Sequence, residues 1–108
     1  PLRFFISEII REKIFELCQK EIPYSCQVLV EEYKEDGRMI RIRAQIIVER
    51  DSQKGIIIGR GGEMLQKIGR KSRFDLEKFL NRKVYLENFV KVDKDWRSSE
   101  KKLKKYGY

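Results

Sequence analysis

Leu2, Phe5, Ile6, Ile9, Ile10, Ile14 and Leu17 recur at spacings of three and four, with Glu8, Arg11, Glu12 and Lys13 between them. That period predicts an amphipathic helix from the first residues of the chain. Pro23 cannot continue it and disfavours helical geometry at Ile22, so the helix is expected to stop near Lys20. Cys26 to Tyr33 is apolar and β-branched enough for a strand, and Lys34-Glu35-Asp36-Gly37-Arg38 forms a turn around Asp-Gly. Beyond the turn the alternation is clean. Ile40, Ile42, Ala44, Ile46 and Val48 fall on one face, with Arg41, Arg43, Gln45 and Glu49 on the other, which predicts a strand buried on one side and an antiparallel hairpin.

Ser52 is expected to cap a short helix over about Gln53 to Ile58, which Gly59-Arg60-Gly61-Gly62 interrupts. A long helix restarts at Glu63 and runs to about Leu80, with Leu65, Ile68, Leu76, Phe79 and Leu80 as its apolar stripe and Asn81 as a left-handed stop. In the next strand Val84, Leu86, Val90 and Val92 point one way, and Tyr85, Glu87, Phe89 and Lys91 the other. The tail from about Asp95 to Tyr106 reads as a basic helix capped by Asp93 or Asp95. The crossover between the second and third strands is about thirty residues, the length that parallel pairing needs. The expected fold class is therefore α+β: a three-stranded mixed sheet with helices on one face, the other left solvated by Arg41, Arg43, Gln45, Glu49, Tyr85, Glu87 and Lys91. No repeat or long linker divides residues 1–108, so one domain is expected.

Charge changes this picture more than composition does. The whole chain carries 25 Lys+Arg against 17 Asp+Glu, a formal net charge of +8. Residues 1–52 hold 9 basic and 10 acidic positions, whereas residues 53–108 hold 16 and 7, so the excess begins where the glycine cluster begins. Any one of these lysines is most simply a solvated surface residue, but the asymmetry points to a polyanionic partner such as nucleic acid or an acidic lipid surface. With no histidine, imidazole acid/base chemistry and Ser-His or Cys-His nucleophile pairs are excluded. Cys18 and Cys26 are too few and wrongly spaced for a zinc site or a disulfide framework and read as small apolar residues in a reducing compartment. No metal or cofactor is expected. No apolar run approaches the roughly 18 residues of a membrane span, so a cytoplasmic protein is expected. Pro1 in place of an initiator Met suggests a piece excised from something longer.

The glycine cluster carries the candidate chemistry. A lone Gly-x-x-Gly most often does no more than permit a tight helix-turn-helix. Here β-branched residues precede it and an amphipathic helix follows it within a βααβ frame. Without Cβ atoms at Gly59, Gly61 and Gly62, a phosphodiester could approach the main chain, and the amides opening the Glu63 helix would supply donors. Arg60 and Lys67 add charge beside that path, with Glu63 turned away. A first helix of only about six residues, roughly 9 Å, would set the loop near Ala44 to Ile46. Ile58, Leu65 and that strand would then floor a groove too apolar for a duplex and suited to unstacked bases. A P-loop does not occur, because Arg60 stands where its second glycine would be needed.

Ile57-Ile58-Gly59-Arg60-Gly61-Gly62-Glu63-Met64-Leu65-Gln66-Lys67-Ile68 resembles the I-G-x-x-G-x-x-I/L signature of KH domains, and helix-strand-strand before it matches their type II arrangement. Phe4 to Ile14, Val48 to Lys54, Phe89-Val90-Lys91-Val92 followed by Trp96-Arg97, and the terminal Gly107-Tyr108 extend the resemblance to the C-terminal KH domain of the Era family of bacterial GTPases, across essentially the whole chain. The resemblance implies binding to the single-stranded 3′ end of 16S ribosomal RNA during small-subunit maturation, with a GTPase domain preceding the KH domain. By motif position, Gly59 to Gly62 would hold the RNA backbone, and Ile58 and Leu65 would line the base groove. One departure is visible: Asn88 occupies an inward strand position where the family usually has an apolar residue.

Trp96 and Phe89 could stack on bases, but a lone Trp beside a strand end more often anchors a terminal helix. Lys101, Lys102, Lys104 and Lys105 read equally as a solvated tail or as nonspecific phosphate contacts. Asp93 and Asp95 lack any neighbour that would make them a catalytic dyad. The expected function is non-catalytic: a module binding about four nucleotides of single-stranded RNA. The rival readings are a regulatory module docking a GTPase domain or a ribosomal protein through the sheet face and tail, and the KH domain of another ribosome-associated factor.

Overall fold

The computed structural model describes residues 1–18, 22 and 25–108. In chain order it places α1 at Leu2–Leu17, β1 at Gln27–Asp36, β2 at Met39–Val48, α2 at Asp51–Ile58, a 3-10 turn at Arg60–Gly62, α3 at Glu63–Leu80, β3 at Lys83–Val92, a second 3-10 turn at Trp96–Ser98 and α4 at Glu100–Lys105. The expected end of the first helix near Lys20 and the effect of Pro23 lie outside the described residues. The sheet order is β1-β2-β3, with β1 antiparallel and β3 parallel to the central β2. This is the mixed α+β arrangement that the alternation and the long crossover predict.

β2 organises the core because both its edges are paired. Ile40, Ile42, Ala44, Ile46 and Val48 are buried on one face, against Ile6, Ile10 and Ile14 of α1, Ile57 of α2 and Ile68 and Leu76 of α3. Two side-chain clamps hold the hairpin. The Arg82 guanidinium donates to Glu35 Oε1 at 3.0 Å and to the Gly37 carbonyl at 2.6 Å, fastening the turn to the start of β3. Arg3 Nη1 donates to the Val30 carbonyl at 2.9 Å, beside the irregularity that interrupts the β1 register between Val30 and Glu32. At the α1–α3 seam the nearly buried Lys13 Nζ lies 2.5 Å from Asp75 Oδ2, a pairing that raises the lysine pKa.

The polar face is not wholly solvated. β2 ends in Ile46-Ile47-Val48, three consecutive buried residues, so Ile47 points away from the main core. There it meets Trp96 and Tyr106, with Leu29 and Leu103 alongside, as a second small core under the C-terminal segment. Trp96 is an anchor, as expected: its indole donates to the Ser25 carbonyl at 3.2 Å and its ring meets Tyr106 edge-on at 5.5 Å.

The capping expectations need correction. Ser52 does not cap α2, which begins at Asp51; instead Gln53 Oε1 accepts from the Glu49 and Arg50 amides, both at 3.0 Å. Nor is the tail one helix from Asp95 to Tyr106. The chain extends at Ser99, whose hydroxyl accepts from the Lys102 amide and caps α4. Asp93 is a latch rather than a cap: its carboxylate pairs with Lys102 Nζ at 2.7 Å and accepts the Tyr106 hydroxyl. Lys102 is thereby committed inside the protein. Asn81 is the left-handed stop of α3, with φ 53°. Of the two cysteines read as small apolar residues, Cys26 is buried, which pushes its thiol up to about 12, whereas Cys18 is half-buried.

Two predictions follow from this packing. Ser72 is fully buried in α3 and its hydroxyl has no partner. Ser72→Ala removes that cost and improves helix propensity, so stability should rise by about 1 kcal/mol in urea unfolding; a lower midpoint would contradict it. The latch has a pH window. Asp93 is held below the usual carboxylate range by Lys102 first and Tyr106 second, so its contribution exists above about pH 4 and is lost as pH falls further. The Tyr106 phenol is pushed up from 10.0 to about 12 by burial and by Asp93, so its contribution is full below pH 10 and fades toward pH 12. The stability gap between the native chain and Asp93→Asn should therefore narrow below pH 4. A gap that stays constant down to the acid transition would refute the latch.

Candidate nucleic-acid interface

The interruption between α2 and α3 has a steric cause. Gly59 ends α2 at φ 73° and ψ 178°, and a Cβ there would stand 2.7 Å from Met64 Cβ and 2.9 Å from the Met64 nitrogen. The close approach of α3 and the positive φ thus already require glycine at position 59. Gly61 and Gly62 differ. They have φ 61° and 80°, and a Cβ on either would meet nothing within 4 Å. Within the loop, the Gly59 amide donates to Gly55 O at 2.8 Å, the Gly62 amide to Gly59 O at 3.2 Å, and the Glu63 amide to Arg60 O. The turn leaves the main chain around Arg60 and Gly61 for an outside acceptor. The Arg60 side chain is exposed there and Lys67 is exposed one turn into α3.

The groove lies on one side of this loop, between α3 and β3. It is open, has a volume of about 610 Å³, and is lined by Gly62, Leu65, Gln66, Gly69, Arg70, Arg73, Leu86 and Asn88. Leu65 therefore belongs to it as expected, and Ile58 is half-buried at the end of α2 without lining it. Ala44 and Ile46 do not. Both are fully buried, since β2 is central and its inward face is covered by the helices, so no base reaches them. The parallel crossover instead sets the long helix beside the edge strand β3, whose Leu86 and Asn88 form the floor. Gly69, Arg70 and Arg73 were not singled out in the sequence. The signal was there: Gly62, Gln66, Gly69 and Arg73 succeed one another at spacings of four, three and four along α3.

Electrostatics separates groove cations from structural ones. Lys13, Arg82, Arg97 and Lys102 all sit in ion pairs. Among the described residues Arg60, Lys67, Arg70 and Arg73 enter none. The groove edge thus keeps its positive charge available, while Leu65 and Leu86 give the floor an apolar surface on which a base can lie. No helix of the described residues is long and apolar enough to cross a membrane, and those residues contain no cluster of three or more acidic or cysteine ligands for a metal.

A family model described as KH domain matches residues 21–97. All of this chain aligns with the GTPase Era of Geobacter metallireducens at 54% identity over 110 residues, and with that of Geotalea daltonii at 52% over 109. The chain spans 37% of the length of each of these curated relatives. Two solved structures superpose on all of it with a TM-score of 0.94 and 42% identity: an Aquifex aeolicus Era variant bound to GDP and aluminium fluoride, and Era in complex with MgGDPNP and nucleotides 1506–1542 of 16S ribosomal RNA. Each also matches over 37% of its own length. With the glycine loop seated between two helices, the sheet ordered β1-β2-β3 and the family model spanning all but the two ends, this chain belongs to the KH domain family, in its type II arrangement.

Proposed function

We propose that this chain is a single-stranded RNA binding module, and that it serves as the non-catalytic KH part of an Era-type GTPase acting at the 3′ end of 16S ribosomal RNA in the small subunit. The observation that carries the reading is the juxtaposition of a bare glycine turn at Gly61 and Gly62 with a groove whose four nearby cations are unpaired. The phosphate path runs along Arg60, Gly61 and Gly62 toward Lys67, and bases turn inward over Leu65 and Leu86. Gly59 acts indirectly, by setting the turn. A Gly-x-x-Gly loop of this kind clamps about four unstacked nucleotides rather than a duplex. That an Era structure contains a 16S ribosomal RNA fragment supports the choice of ligand.

The test is the double substitution Arg60→Asp with Gly61→Asp. Both sites are exposed, and Asp tolerates the left-handed backbone at position 61 better than most residues. Affinity for a single-stranded RNA carrying the 16S 3′-terminal sequence should fall at least about tenfold through lost and reversed phosphate contacts, with the melting temperature nearly unchanged. Unaltered affinity would refute the reading. Binding by the native chain should also weaken linearly in log-log form with salt, whereas docking of a protein through Tyr85 and Phe89, the half-exposed aromatics of the outer sheet face, would respond little.

A further inference from the structure

The outer face of the sheet carries a pattern that the groove does not use. Along β3 the residues turned away from the helices alternate charges and rings: Lys83, Tyr85, Glu87, Phe89 and Lys91. On β2, Arg41 is in register with Tyr85 and Arg43 with Glu87. Both guanidiniums lie over rings. Arg41 Cζ is 4.9 Å from the centre of the Tyr85 ring, and Arg43 Cζ is 5.7 Å from that of Phe89. Glu32, opposite Arg43 on β1, and Glu87 share this face, yet no ion pair among the described residues takes up Arg41 or Arg43.

A cation over a ring helps to hold two strands together, but that role does not require the rings to stay open. Tyr85 and Phe89 each remain 45% exposed with the arginines in place. Valine or threonine would suit a strand as well without wetting aromatic surface. The second small core stops short of them, since it covers Ile47, the residue two beyond Gln45, and Gln45 is the register partner of Phe89. β3 also pairs only with β2, so its far edge is free. The same strand turns Leu86 and Asn88 into the groove and Tyr85 and Phe89 to the outer face, and the two surfaces are separated by the width of one strand.

We propose that the outer face of β2 and β3 is a second RNA surface, on which bases of a single strand leaving the groove around the edge of β3 stack against Tyr85, Phe89 and the guanidiniums of Arg41 and Arg43. Bases stack on aromatic rings and on guanidinium planes alike, so a ring with an arginine over it extends the platform. The guanidinium stacks through its face and keeps the N-H groups of its rim for phosphate oxygens. Lys83 and Lys91 supply charge at the two ends of the row. The pattern favours a nucleic acid over a protein partner, because Glu87 separates the rings and charges frame them, whereas a protein-docking patch has a continuous apolar centre. The inference rests on the RNA-binding reading above and lengthens the strand that the chain holds.

The test titrates the chain with an RNA of about four nucleotides, enough for the groove, and with the same RNA carrying about eight more at either end. On the native chain an extension at one end should tighten binding at least about tenfold, and an abasic extension of equal charge should lack most of that gain. Tyr85→Thr with Phe89→Thr leaves every charge in place and suits a strand; it should abolish the gain while affinity for the short RNA is kept. Arg41→Gln with Arg43→Gln keeps both rings. It should reduce the gain and lower the log-log salt slope for the long RNA by about 1.4, the share of two phosphate contacts. If one pair of substitutions prevents folding, the other decides. An extension that adds nothing, an abasic extension that gives the full gain, or variants that keep it would each overturn the inference and leave the ring pairs to sheet cohesion or a protein partner. A short RNA that the native chain does not bind, or that Arg60→Asp with Gly61→Asp binds equally well, would overturn the groove reading and this inference with it.

Discussion

The contact on which the site depends is the approach of α3 to the end of α2, close enough that no Cβ can stand between Gly59 and Met64. A side chain at position 59 would push the two helices apart and move Leu65 and the rest of α3 off the edge of β3. Because position 59 must be glycine, the chain leaves α2 in a conformation that other residues rarely adopt, and the next three residues project as a turn into open space. The same geometric demand that packs the helices therefore bares the main chain. Of the three glycines, one serves the fold and two serve the opening, a division of labour that a pattern of letters cannot express.

The sheet applies a second constraint. A central strand paired on both edges has only its two faces to offer, and in β2 the inward face is consumed by the core. Anything that binds beside the helices must use an edge strand, and the parallel crossover delivers β3 to that place. This is why sequence reasoning found the loop and misplaced the floor. Period-two alternation identifies which residues of β2 share a face, and the crossover length identifies β3 as its parallel neighbour. Neither reports how far α3 overhangs the sheet, so Ala44 and Ile46 were natural but wrong choices for the floor. Leu86 and Asn88 were legible only as inward residues of a strand.

Elsewhere the sequence spoke clearly where one physical cause acted alone. The alternation of Ile40 to Ile46, the left-handed Asn81 and the anchoring Trp96 each follow from a single local rule. The readings that changed are those where two causes compete. Ser52 is a good capping residue, but Gln53 reaches back to two amides at once and the helix begins two residues earlier than expected, at Asp51. Asp93 and Asp95 look like caps, but Lys102 and Tyr106 capture the first, and Ser99 takes the capping role. The run Ile46-Ile47-Val48 broke the alternation, and the break was the mark of a second small core on the outer face. Net charge likewise pointed toward a polyanion without saying which cations were spare. That distinction needed the ion pairs, which occupy Lys13, Arg82 and Lys102 and leave the groove arginines unclaimed.

The strand order has a consequence for anything joined to this chain. Arg3 and Phe4 near one end and Tyr106 to Tyr108 at the other line a common cleft along β1, and Gln27 Nε2 ties the last turn to that strand through the Tyr106 carbonyl at 2.9 Å. The groove between α3 and β3 runs along β3, on the opposite margin of the sheet. A polypeptide attached at either terminus thus hangs from the margin remote from the groove. Surface tethering, fluorescent fusion or tandem joining of several copies can be done through the ends without obstructing the face on which a nucleotide strand would lie.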